Sequence, residues 1–87
     1  MAKLTKKELA WIDEVQEVLN RCPSPEKIGF YTIGDPTVFL YDLRKLKDVE
    51  NALDTGKASD WSPACRYVGA HFDETIDFPS PVESTAG

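Results

Sequence analysis

The sequence predicts a single α+β domain, and three observations point to it. A complete helix start stands near the N-terminus, two β-branched and aromatic runs flank Gly34-Asp35-Pro36, and helical apolar spacing resumes after Asp42. With 87 residues the chain can support only one hydrophobic core. A domain of this size buries roughly 60–65% of the surface of its unfolded chain, so its stability is expected at the low end of the usual range. Such domains often dimerise. The domain is expected over 1–78, with a loose tail over 79–87.

The first helix is the clearest element. Thr5 is placed as N-cap with Glu8 three residues into the helix, the spacing of a capping box, and Leu4 and Leu9 occupy the positions of a hydrophobic staple. Trp11, Ile12, Val15, Val18 and Leu19 then recur at three- and four-residue steps, while Lys6, Asp13, Glu14 and Glu17 lie largely off that stripe. An amphipathic surface helix is therefore expected from about Lys6 to Asn20 or Arg21. It must end before Cys22-Pro23-Ser24-Pro25, because each proline disfavours helical geometry in the residue before it.

Ile28 to Ile33 and Thr37 to Tyr41 read as the strands of an antiparallel hairpin. Both strands carry apolar residues on both faces, so one face is expected to meet the helices and the other to be partly covered or offered to a partner. Tyr31, Phe39 and Tyr41 are the aromatic candidates for that partner surface. Asp42 can cap a second helix through Leu43 to Leu53, stopped by a left-handed Gly56. In the third part, Ser62-Pro63 suits a helix start, and Cys65, Val68, Phe72 and Ile76 share a helical face. Gly69 opposes that reading, and a third strand over Cys65 to Phe72 competes with it. The balance of the pattern favours a helix, with one or two further helices packed on one sheet face.

The net charge of -5 is unevenly placed. Residues 1–47 carry eight Lys/Arg against seven Asp/Glu, and residues 48–87 carry two against eight. The acidic half disfavours nucleic acid as a partner, because it repels phosphate backbones. Two alternatives to a protein partner remain open. The carboxylates Asp48, Glu50, Asp54, Asp60, Asp73, Glu74 and Asp77 could mimic nucleic acid in the cleft of a DNA-binding host protein, or Lys3, Lys6, Lys7, Arg44, Lys45 and Lys47 could bind DNA weakly. From the mimic set, Asp48, Glu50, Asp54, Asp73 and Glu74 join the candidate partner surface.

No catalytic, metal-ligating or cofactor-binding constellation stands out. Cys65 and His71 can be drawn as a thiol-imidazole pair, but the most acidic part of the chain would raise the thiol pKa rather than lower it. Gly29 and Gly34 match no phosphate-binding pattern, and Asp73, Glu74 and Asp77 lack the spacing of a calcium loop. The expectation is a protein without enzymatic activity or cofactor. No apolar run approaches the roughly 20 residues that span a bilayer, and the N-terminus passes straight into a charged helix without an apolar signal region. A cytosolic protein with reduced cysteines and no membrane partner is expected.

Lys3-Leu4-Thr5-Lys6-Lys7-Glu8-Leu9-Ala10-Trp11-Ile12 and Ile28-Gly29-Phe30-Tyr31-Thr32-Ile33-Gly34-Asp35, with the closing Ser84-Thr85-Ala86-Gly87, resemble small uncharacterised proteins of lambda-like enterobacterial phages and prophages. The resemblance implies a bacterial cytoplasm and an accessory phage role, and it carries no catalytic motif. Together these readings lead to an interaction module that binds a protein, either a host factor or a second copy of itself.

Overall fold

A computed structural model describes residues 2–83. The chain runs α1 (Lys6–Asn20), β1 (Ile28–Thr32), β2 (Thr37–Asp42), a 3-10 turn (Leu43–Lys45), α2 (Leu46–Asp54), α3 (Trp61–Tyr67) and β3 (His71–Asp77). The fold is thus α+β, with a sheet of order β1-β2-β3 in which both neighbouring pairs are antiparallel.

The start of α1 forms as its sequence requires. Thr5 Oγ1 accepts from the Glu8 N–H at 3.1 Å, and Glu8 Oε1 accepts from the Thr5 N–H at 2.7 Å. These reciprocal bonds satisfy two amides that a helix end otherwise leaves open, and they hold the Glu8 carboxyl below the ordinary carboxylate range. Asp42 caps the 3-10 turn rather than α2 itself. Its carboxylate accepts from the Arg44 N–H at 3.0 Å, while Arg44 Nε and Nη2 donate to its two oxygens at 2.9 and 3.0 Å.

The expected helix through Ile76 is corrected. Asp60, not Ser62, caps α3, accepting from the Trp61 N–H at 2.8 Å, and the helix ends at Tyr67. Gly69 adopts φ 71°, a left-handed conformation that stops the helix. The chain then turns into β3, whose Ile76 pairs with Val38 and whose His71 pairs with Tyr41. Pairing with β2 prevails over the helical spacing of Phe72 and Ile76, since a two-stranded hairpin alone is marginal in water. The register shifts between Phe39 and Tyr41, which lie across from Thr75 and His71.

The core sits between one sheet face and the α2–α3 pair. Tyr41, Val49, Ala52, Ala64, Cys65 and Ala70 are buried there, with Leu43, Leu46, Leu53 and Trp61 packed around them. Val49 and Cys65 are its largest fully buried side chains, so the core is small. Among the described residues, α1 contributes nothing buried.

Beyond β3, the Phe78 N–H donates to Pro36 O at 2.7 Å and the Val82 N–H to Asp35 O at 3.1 Å. Val82, within the segment expected as a loose tail, thus hydrogen-bonds to the hairpin turn. The rest of that expectation, residues 84–87, lies outside the described residues.

Candidate interaction surface

Strand alternation divides the sheet into two unlike faces. Gly29, Tyr31, Phe39 and Tyr41 point inward, and their partners across the β1–β2 ladder match them: Gly29 with Tyr41, Tyr31 with Phe39. Tyr31 and Phe39 stack with ring centroids 5.3 Å apart, Tyr41 meets Trp61 edge-on at 5.7 Å, and the Tyr31 hydroxyl donates to Ser62 Oγ at 3.3 Å. Phe30 and Leu40, also directly paired, point to the opposite face.

Tyr41 is only 6% exposed, so its placement on a partner surface is corrected: the ring is core. The cause lies in Gly29, since a Cβ there would overlap the Tyr41 ring, and its absence lets the ring fold down over β1. Burial pushes the Tyr41 phenol pKa up. Tyr31 and Phe39 are half-buried and border a small inner-face cleft of about 190 Å³ with Arg66, His71 and Asp73.

The expected carboxylates do not converge on one groove. Asp48 borders a groove between α2 and α3 with Asn51, Lys57 and Tyr67, and Glu50 and Asp54 are exposed on α2. Glu74 lies by Ile28, Leu40 and Phe72 on the outer side of the sheet, whereas Asp73 joins the inner-face cleft. Asp77 accepts from the Thr37 hydroxyl at 3.1 Å. The basic cluster is engaged as well, because Arg44 is held by Asp42 and Lys45 Nζ donates to Val68 O at 3.3 Å.

The groups drawn for catalysis do not form a nucleophile pair. Cys65 is fully buried and its thiol pKa is pushed up by that burial, the reverse of what a thiolate nucleophile needs. His71 is exposed and lies 4.0 Å from Asp73 Oδ1, too far for a hydrogen bond. Both cysteines are thiols. Among the described residues no group of three or more His, Cys, Asp or Glu is gathered as a metal site, and no helix is long and apolar enough to cross a membrane.

The sheet face expected to be offered to a partner is the outer one, and its residues are not the tyrosines named for it. Ile28, Phe30, Leu40 and Ile76 line a groove of about 510 Å³ together with Val18, Leu19, Cys22 and Pro25. Phe30 is 49% exposed, and Ile76, on the far side of β2, is exposed as well. Only the last turns of α1 reach this groove. Leu9, Trp11 and Ile12 extend beyond it, with Trp11 55% exposed. The signal for it lies in the strands, which are apolar on both faces. The face of the tyrosines is the one that the helices cover.

Compared with known families, with curated proteins and with solved structures, the chain shows no match.

Proposed function

We propose that this protein is a non-enzymatic interaction module, an accessory protein of the phage or prophage type that acts in the bacterial cytoplasm by binding another protein chain. The observation that supports it most is the continuous apolar surface formed by the outer sheet face and the stripe of α1. Contiguous exposed apolar patches of this kind mark interaction sites on soluble proteins. A helix of 15 residues is marginal in water without tertiary packing, and α1 buries no side chain of its own. Its stability is therefore supplied by whatever covers that stripe.

The test is capture of stoichiometric partners by the tagged full chain from enterobacterial lysate, together with its state of self-association, for the wild type and for the pair Phe30→Glu with Ile76→Glu. The reading expects one partner, of either kind, that is retained by the wild type at moderate salt and lost by the double variant. A wild type that neither self-associates nor retains a partner, or a partner held equally well by both proteins, contradicts it.

The acidic-mimic reading gains no support, since Asp73 and Glu74 border clefts on opposite sides of the sheet. Weak DNA binding is disfavoured by the engagement of Arg44 and Lys45 within the fold.

A further inference from the structure

We infer that the free edge of β1 takes an added strand from another protein, an extended segment in which aliphatic residues alternate with Lys or Arg. The inference rests on the interaction reading above and names the chemistry of the partner.

The first ground is the main chain. The Leu43 N–H donates to Lys27 O at 2.7 Å, and Ile28 stands opposite Asp42 in the ladder. Bonded and unbonded positions alternate along an antiparallel pair, so Gly29 and Tyr31 bond to β2 while the main-chain groups of Ile28, Phe30 and Thr32 point away from it. No further strand lies on that side of β1 among the described residues. The Ile28 N–H is taken by Ser24 O at 3.0 Å, whereas the N–H and C=O of Phe30 and Thr32 meet no protein partner among the described residues. A short row of free donors and acceptors at strand spacing is a template for a further strand.

The second ground is the contrast between the two edges of the sheet. β3 carries Asp73, Glu74 and Asp77, the kind of charge that keeps an edge from pairing. β1 carries no charged residue. Lys27, just before it, leans away from the edge, with Nζ 6.0 Å from the centroid of the Phe72 ring on β3.

The third ground selects the side chains of the occupant. A residue added opposite Tyr31 points to the inner face, as Tyr31 does, and meets a cleft of about 340 Å³ lined by Tyr31, Thr32, Ile33, Asp60, Trp61 and Ser62. Asp60 Oδ1 accepts from the Trp61 N–H at 2.8 Å, and no cation stands beside that carboxylate among the described residues. Two aromatic rings and a carboxylate suit Lys or Arg, whose stem lies on the rings while the charge reaches Asp60. The Tyr31 ring supplies this wall, and its hydroxyl stays on Ser62. The added residues on either side point to the outer face next to Ile28 and Phe30, where aliphatic side chains extend the apolar groove. The same chemistry sets aside a second copy as the source of the strand, because β1, β2 and β3 contain no Lys or Arg. The net charge of -5 likewise favours a basic partner.

The experiment follows the amide NMR spectrum and hydrogen exchange of the full chain titrated with the capped peptide acetyl-Val-Lys-Val-Lys-Val-Lys-amide. Two comparison peptides carry Glu in place of Lys, or N-methyl groups on the valine amides that would face β1. The first peptide is expected to bind with a Kd of about 100 μM and to shift and protect the amides of Phe30 and Thr32, while those of Thr75 and Asp77 on the β3 edge stay unchanged. Binding is expected to fall about tenfold or more with either comparison peptide. Asp60→Asn keeps an acceptor for the Trp61 N–H and is expected to weaken the Lys peptide about threefold, narrowing its preference over the Glu peptide. No binding, equal binding of the Lys and Glu peptides, binding that survives N-methylation, or shifts on β3 in place of β1 overturns the inference. So does protection of Phe30 and Thr32 that grows with protein concentration without any peptide, which would assign the edge to a second copy. If the peptide fails while a lysate partner is still captured and is lost on Phe30→Glu with Ile76→Glu, only the added strand is overturned and the interaction reading stands; failure of both removes both.

Discussion

Gly29 and Tyr41 face each other across the β1–β2 ladder, and the Tyr41 ring occupies the space that a side chain at residue 29 would fill. This cross-strand exchange, an aromatic ring laid over a glycine on an edge strand, ties the hairpin to the helices, because the far edge of the same ring meets Trp61. It also decides which sheet face becomes core. Gly29→Ala is expected to destabilise the protein by about 1–3 kcal/mol, the usual cost of overpacking a fitted core. Urea unfolding measures it, and Tyr41→Leu in the same chain is expected to relieve part of the loss in a double-mutant cycle.

Asp42 gives the fold an acid-sensitive point. Its side-chain hydrogen bonds from Arg44 outweigh the desolvation that opposes them and hold the carboxyl below the ordinary carboxylate range. The unfolded chain protonates this group near about 3.9. The stability it contributes is therefore fully present above that pH and is lost as the pH falls toward the lower folded value. Thermal unfolding followed from pH 7 downward is expected to show a steeper fall below about pH 4 in the wild type than in Asp42→Asn, which starts lower at neutral pH and titrates less.

The two thiols are expected to differ sharply. Cys65 is fully buried with a raised pKa, whereas Cys22 is half-buried at the rim of the outer-face groove. A disulfide-exchange reagent is expected to modify one thiol per folded chain promptly and the second only on unfolding. Peptide mapping should place the fast site at Cys22. Prompt modification at Cys65 would mean that the α2–α3 layer opens far more readily than its packing implies.

Removing the Tyr31 hydroxyl tests the inner face. Tyr31→Phe keeps the stack on Phe39 but deletes the bond to Ser62, and a loss of about 1 kcal/mol is expected. Partner capture or self-association should be unchanged, since Tyr31 lies on the sheet face opposite Phe30 and Ile76.

Local signals in the sequence carried much of this fold. Thr5 and Glu8 announce α1 because a capping box needs only neighbours in the chain, and the runs on either side of Gly34 announce the hairpin for the same reason. The third strand was harder to see. Phe72 and Ile76 satisfy helical spacing, and only the open edge of β2, a long-range partner, draws them into a strand. The site was legible as a type of surface but not as a set of residues. Tyr31 and Tyr41 resemble interface aromatics in isolation, yet the small side of Gly29 opposite Tyr41 turns that face into the core and leaves Phe30, Leu40 and Ile76 outside.

The central claim is that the apolar stripe of α1 is covered by another chain, and amide hydrogen exchange over residues 6–20 tests it most directly across a range of protein concentration. An unpacked helix of this length exchanges nearly as fast as the unfolded chain. The account predicts protection in α1 that grows with protein concentration or on addition of the captured partner, while β2 and α2 stay protected throughout. Protection of α1 that is unchanged both by concentration and by the captured partner would contradict it.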